Sequence, residues 1–311
     1  MLVGIDVGGT NLVAAKVTES GQIVEKASIP VGHSSTEDRL CARIIELAHL
    51  VASDDKSIRA VGIGFPGLVD NHSGFVIKTP NLPFGNTPFR KIFQKSWDVP
   101  VFMGNDANCA AIGEYWAGAA RDCESALVIT LGTGIGGGFI HREKLFLGAY
   151  SGALEVGHMI VHPGGLSCGC GSKGCFEQYA SATALIRMAQ AAMERNRNSL
   201  LWELSNENDG RLDGRIVFQA AKMNDFTAQQ VVDQYTSNLA LGLSNLINIL
   251  QPEVTCLGGG ISSADESLLL NPVREKVRNY LFDKAAPIRI ERAALNNDAG
   301  VIGAALLCKT I

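Results

Sequence analysis

The chain has 311 residues, 46% hydrophobic and 19% charged, with a formal net charge of −4. That length suffices for about two domains with a sizeable core, and the acidic balance excludes the basic face that a nucleic-acid surface requires. The start, MLVGID, has no basic region, and the longest apolar run, 126–140, is short and broken by glycine; no signal peptide or membrane span is expected, and the reading is a cytosolic protein.

LVGIDV and LVAAKV read as strands joined by the turn GGTN, and IVEKASIP as a third after ESGQ. Residues 36–53 carry Leu40, Ile44, Leu47, Ala48 and Val51 at helical spacing. IRAVGIGF returns to strand, FRKIFQKSW is a short helix, PVFMGN a strand, and DANCAAIGEYWAG a helix starting near Asn105–Asp106. At Ala126 the pattern restarts: ALVITL and GGFIHRE flank the turn GTGIGG. Both halves thus open with strand, glycine turn and strand, which predicts a pseudo-repeat of one βββαβα unit. The second copy carries an insertion over roughly 141–225. A long helix over 227–250, the strand and turn VTCLGGG, a helix over 268–282, the strand PIRIER and a helix over 299–308 close the chain. With no Pro/Ser linker, the boundary near 118–124 reads as a hinge.

The pattern GxGxxG occurs three times, starting at Gly62, Gly132 and Gly169. A dinucleotide-binding turn needs a helix directly after the glycines, but the residues around Gly67 and after Gly137 read as strand; GxxxxGK[ST] is absent. What these turns offer is backbone N–H groups in a nest that suits anions. Asp6 precedes such a turn at Gly8, Gly9, Thr10 and Asn11, and Thr133 and Gly134 hold the equivalent place in the second half. Two nests and one acid fit a nucleotide: amides and threonine hydroxyls on the phosphates, Asp6 toward Mg²⁺ through water. The alternative for either turn alone is a plain hairpin. Gly258, Gly259 and Gly260 form a third glycine turn, where close backbone approach lets an adenine ring stack.

DVGGTN, GFPGLVD, PNLP, NDAN, GTGIGGG, EVGHM, CGCGSKGCFEQYAS and LGGG follow one another in this order from Val3 to the last helix. This resembles the ROK family (repressor, open reading frame, kinase) of sugar kinases, in its glucose-phosphorylating branch. The resemblance implies the actin-like ATPase (ribonuclease H-like) α/β fold, with two α/β domains around a cleft: 1–118 plus 297–311, and 119–296. It implies an ATP-dependent hexose 6-kinase, glucose first, with mannose, allose or an N-acetylhexosamine as alternative substrates, and a homodimer. By resemblance, Asp106 is the general base for the sugar 6-hydroxyl. Its alternative is a helix N-cap, a place Asn105 can fill instead. Gly67, Asn81, Asn105 and Asp106 take one end of the sugar, and Glu155, His158 and Glu177 the end near carbon 1. The alternatives are turn chemistry at Asn81 and solvated acids at Glu155 and Glu177. The family also contains sugar-responsive repressors, but DVGGT begins at Asp6 with no space ahead of it for a helix-turn-helix.

Three of the eight cysteines lie in CGCGSKGC. Cys168, Cys170 and Cys175 supply three thiolates, and a structural zinc takes four ligands, usually Cys and His. His158, ten residues upstream, completes the set, and the resemblance implies the same four. One ring nitrogen of His158 can hold the metal while the other meets a sugar hydroxyl, so zinc would preorganise the sugar clamp. A redox pair is the rival reading. Cys41, Cys109, Cys123, Cys256 and Cys308 read as core; His33, His49, His72, His141 and His162 receive no role.

Overall fold

The computed structural model describes residues 1–32, 36–52 and 55–310. Two compact units emerge: Met1–Val128 with Gly137–Leu154 and Ala293–Ile311, and Ile129–Gly136 with Glu155–Arg292. His33 and Ser53, the latter in the expected helix 36–53, lie outside the described residues. No helix among the described residues is long and apolar enough to cross a membrane.

In the first unit, β1 (Leu2–Val7) is apolar up to Asp6 and buried at every other position, as suits a strand covered on both faces. It pairs antiparallel with β2 (Asn11–Val17), which pairs with β3 (Ile23–Pro30), an edge strand that is largely exposed. After α1 (Glu37–Ala52), β4 (Ala60–Phe65) lies parallel to β1. A small sheet follows, made of β5 (Leu68–Asp70), β6 (Phe75–Lys78) and β7 (Gly85–Thr87). Its strands are too short for periodicity to reveal them. Then come α2 (Phe89–Phe93), β8 (Val101–Asn105) parallel to β4, and α3 (Asp106–Ala117). The expected helix FRKIFQKSW therefore stops at Phe93, and Trp97 instead stacks on His49 with ring centroids 4.7 Å apart.

The chain repeats this design with β9 (Ser125–Leu131), β10 (Ile135–His141) and β11 (Lys144–Leu145). The insertion contributes α4 (Glu177–Ala180), α5 (Ala182–Arg195), α6 (Leu200–Glu207) and α7 (Gly214–Lys222), and α8 (Phe226–Leu250) follows. β12 (Val254–Gly258), α9 (Leu270–Arg278), β13 (Ile290–Arg292) and α10 (Ala299–Leu306) complete the chain. The helix expected over 268–282 is thus trimmed at both ends. The two five-stranded sheets have orders β3-β2-β1-β4-β8 and β11-β10-β9-β12-β13. Counted within its own sheet in chain order, each reads third, second, first, fourth, fifth strand, so the pseudo-repeat holds at the level of strand order.

The core of the first unit follows from the stripe on α1, where Leu40, Cys41, Ile44, Leu47, Ala48 and Val51 are buried. They join Phe65, Phe84, Phe89 and Phe93 in one cluster. Phe65 and Phe89 meet edge to face at 4.8 Å, and each buried phenyl contributes about 2 kcal/mol. α10 is apolar all round and packs on β1, β4 and α3. Glycine makes that approach possible. A Cβ on Gly62 would sit 1.7 Å from the Ala304 carbonyl oxygen, and one on Gly303 1.6 Å from that of Cys109. At the other end of α3, the fully buried Glu114 accepts hydrogen bonds from the backbone N–H groups of Ala119, Ala294 and Leu295 at 2.8–2.9 Å.

Candidate active site and metal centre

β1, β4 and β8 run parallel, so their C-terminal ends form one edge, where open α/β sheets place ligands. Asp6 is the penultimate residue of β1, and Asp106 starts α3 directly after β8. Burial, with the Asp106 carboxylate as a second cause, pushes the Asp6 carboxyl up to about 6. Gly300 makes space for it, since a Cβ there would meet Asp6 Oδ2 at 2.7 Å. Asn105, not Asp106, caps α3: its Oδ1 accepts from Ala107 and Asn108 N–H at 2.9 and 3.2 Å. Its Nδ2 donates to the Gly67 carbonyl at 3.0 Å. An amide oxygen has two lone pairs and an amide nitrogen two hydrogens, so one N–H of Asn105 remains for a ligand. Asp106 Oδ1 accepts from the Ala107 N–H at 2.8 Å.

Gly67 has φ +93°, and a Cβ there would lie 2.4 Å from the Lys78 carbonyl oxygen. The turn is thereby packed against the end of β6. Thr79 Oγ1 donates to the Leu82 carbonyl at 2.6 Å, shaping the loop that exposes Asn81. Gly67 and Asn105 are thus tied directly, and Asn81 lies on the loop that follows the strand end against which Gly67 packs. At the first glycine turn, the Gly8 N–H bonds to the Asn11 carbonyl and the Thr10 carbonyl accepts from Val31. Gly9, Thr10 and Asn11 are exposed.

In the second unit, the Gly132 N–H bonds to the Gly134 carbonyl at 3.0 Å, closing the equivalent turn. Glu177 Oε2 accepts from the Ile135 N–H at 3.1 Å. Ala182 N–H donates to the Gly132 carbonyl at 2.8 Å, and Thr183 Oγ1 to that of Thr133 at 2.8 Å. Gly259 has φ +82°, and a Cβ on it would lie 2.5 Å from the Leu131 carbonyl oxygen. The 258–260 turn therefore abuts the strand end that leads into Gly132. A Cβ on Gly260 would meet nothing within 4 Å, so space lies open beside it. Sequence reasoning missed Thr183; the available signal was Ser181, which caps α5 by accepting from Ala184 N–H and so sets Thr183 in the first turn of that helix.

The cysteine loop is a small antiparallel fold, bridged Ile160–Cys175 and Ser167–Lys173. Gly174, at φ +83°, could not carry a Cβ, which would fall 1.8 Å from the His162 carbonyl oxygen. His158 Nδ1 lies 3.6 Å from Cys168 Sγ, and Cys170 Sγ 3.6 Å from Cys175 Sγ. All four ligand atoms fall within 4.8 Å of one another. A regular tetrahedron with Zn–S of about 2.3 Å has edges of about 3.8 Å, so the donor set fits a zinc ion. The Ser172 N–H, foremost among its hydrogen-bond partners, holds the exposed Cys170 thiol down to about 7, while burial pushes Cys175 up to about 12. Of the other cysteines, Cys41, Cys109, Cys123 and Cys256 are buried and Cys308 is partly exposed. Glu155 and His158 are exposed and Glu177 is half-buried.

The chain matches the ROK family over residues 2–311. It is 36% identical to a glucokinase of Thermotoga maritima over 310 residues, covering 99% of this chain and 97% of that protein. A glucokinase of Halalkalibacterium halodurans is likewise 36% identical, over 99% of this chain and 94% of its own. Among solved structures, a ROK family glucokinase from Streptomyces griseus in complex with glucose and AMPPNP has a TM-score of 0.84 at 35% identity, covering 98% of this chain and 97% of that one.

Proposed function

The chain belongs to the ROK family, and we propose that it is an ATP-dependent glucokinase, transferring the γ-phosphoryl group of ATP to the 6-hydroxyl of glucose. Its fold is the actin-like ATPase fold, in keeping with the repeated strand order. The observation that carries the activity is the near-full-length likeness to glucokinases, one of them bound to glucose and AMPPNP.

Phosphoryl transfer rests on positioning and charge stabilisation. Asp106 takes the proton of the 6-hydroxyl as its oxygen attacks phosphorus. Asn105 supports this reading by filling the N-cap, which leaves that duty off Asp106. Gly67, Asn81 and Asn105 hold the hexose, together with Glu155, His158 and Glu177. The turns at Gly8, Gly9, Thr10 and Asn11, and at Thr133 and Gly134, hold phosphates, and Gly258, Gly259 and Gly260 lie by the adenine. Mg²⁺ arriving with ATP would supply charge neutralisation on the phosphates; Asp6 is the carboxylate suited to it, its pKa raised by burial first and by the neighbouring Asp106 second.

His158, Cys168, Cys170 and Cys175 hold a structural zinc, which when bound cross-links the loop and fixes the His158 tautomer. His158 Nδ1 faces Cys168, so Nε2 is the nitrogen offered to a sugar hydroxyl. The reducing cytoplasm is the compartment that suits three unpaired thiolates. A homodimer completes the reading and is checked by sedimentation.

The test is ADP release from Mg·ATP with glucose, mannose, fructose, allose, N-acetylglucosamine, N-acetylmannosamine or no sugar. Glucose is expected to lead. Preference for an N-acetyl sugar would revise the pocket at carbon 2, and no sugar-dependent release would end the kinase reading.

A further inference from the structure

The second glycine turn is held by a segment that begins two residues after a metal ligand. Between Gly132 and Ile135 the backbone groups are largely committed. The Gly132 N–H closes the turn on Gly134; the Gly132 and Thr133 carbonyls accept from the Ala182 N–H and the Thr183 hydroxyl; the Ile135 N–H goes to Glu177. Among the described residues, that leaves the adjacent N–H groups of Thr133 and Gly134 with no hydrogen-bond partner. Two successive unused amides are the form of an anion nest. Three of the four anchors come from residues 177–183.

That segment is joined stiffly to the metal loop. Cys175 bridges to Ile160, and the Phe176 N–H bonds to the Met159 carbonyl at 2.8 Å. The Phe176 ring is fully buried against Gly242, where a Cβ would fall 2.2 Å from it. Glu177 comes next, its carboxylate close enough to Gly134 that a Cβ there would lie 2.2 Å from Oε2. From Cys175 to Thr183 no link is a loose loop.

We propose that Glu177 and Thr183 are positioning residues for the nucleotide: they hold the Gly132–Ile135 turn in the shape that receives phosphate, so a metal on His158, Cys168, Cys170 and Cys175 supports ATP binding as well as sugar binding. This rests on assigning Thr133 and Gly134 to the phosphates. A preshaped turn spares the ligand the ordering that a loose one imposes.

Calorimetric titration of AMPPNP and ADP with Mg²⁺, in the absence of sugar, tests it. Thr183→Val keeps the side-chain volume and deletes one anchor. One hydrogen bond corresponds to an affinity loss of about 2- to 10-fold, and the KM for ATP should rise to match, with the KM for glucose and the zinc content unchanged. Thr183→Ser, which restores the hydroxyl, should recover the affinity. Chelating zinc from the wild-type protein, with retained fold checked by circular dichroism, should weaken nucleotide binding at least as much. Unchanged nucleotide affinity in both Thr183→Val and the zinc-free protein would overturn the inference and leave the kinase reading standing. A wild-type protein that binds no nucleotide would instead overturn that reading, and this inference with it.

Discussion

The two glycine turns occupy the same place in the two halves of a repeat, after the first strand of each, yet they are built differently. The first is closed locally: Gly8 bonds to Asn11, Thr10 accepts from Val31, and Asp6 stands at its entrance. The second has no acid before it and is strapped by Glu177, Ala182 and Thr183 from the insertion. Repetition supplied one backbone form twice, and divergence assigned the parts. Near the first turn stand two carboxylates suited to proton and cation chemistry. Beside the second stands the loop of His158, Cys168, Cys170 and Cys175, which can hold a metal.

The largest effect should come from breaking the carboxylate half. Asp106→Asn should lower kcat by about 10²- to 10⁴-fold while glucose still binds, measured by steady-state kinetics beside calorimetry; near-wild-type turnover would remove Asp106 from the mechanism. The same half depends on α3 being held at its far end. Glu114→Ala would strip the buried carboxylate from three backbone N–H donors and should cost about 1–3 kcal/mol of stability, read from a urea midpoint. A variant as stable as the wild type would mean that water replaces the carboxylate.

Breaking the metal half should be milder on chemistry. Cys168→Ser should lose zinc and raise the KM for glucose by an order of magnitude or so, with kcat less affected; full zinc occupancy by elemental analysis would show the ligand set to be wrong.

The smallest effect sharpens the comparison through pH. Asp6, raised by burial and then by Asp106 to about 6, binds its proton more tightly in the folded than in the unfolded protein. The stability linked to this group therefore falls as pH rises from about 4 to about 6 and is level above. That loss amounts to no more than about 3 kcal/mol. Asp6→Asn should flatten the slope of Tm over that window. Activity should move the opposite way: kcat/KM for Mg·ATP should fall below about pH 6, a limb belonging to the Asp6–Asp106 pair. A Tm slope unchanged in Asp6→Asn would place the titration elsewhere.

Much of this was legible in the residues, because the signals were local. Asn-Asp at a strand-to-helix junction announces a helix N-cap, and Asn105 is that cap. Three cysteines in eight residues, with glycines where φ turns positive at Gly171 and Gly174, announce a tight loop, and the structure brings its three thiols and His158 together. Restarted strand-turn-strand patterning announced the repeat, and strand order carries it. What was not legible depends on partners far apart in the chain. Glu114 looks like any helix acid until the N–H groups of Ala294 and Leu295, 180 residues on, are found on its carboxylate. Thr183 looks like helix filler until its hydroxyl meets the Thr133 carbonyl. The sheet of β5, β6 and β7 has strands of three or four residues, below the length at which alternation is visible.

The amino-acid sequence by itself determined the repeat, the glycine turns, the grouping of His158 with Cys168, Cys170 and Cys175 and the family, because each is written in short-range spacing and in the residue types that backbone geometry and ligand chemistry demand. Tertiary structure alone decided that Asp6 is half-buried near Asp106, that Gly62 and Gly303 let α10 pack against its neighbours, and that the cysteine loop leads into the strap on the second glycine turn. Those are matters of which distant groups share a low-dielectric interior or complete each other's hydrogen bonds, and sequence spacing carries no record of them.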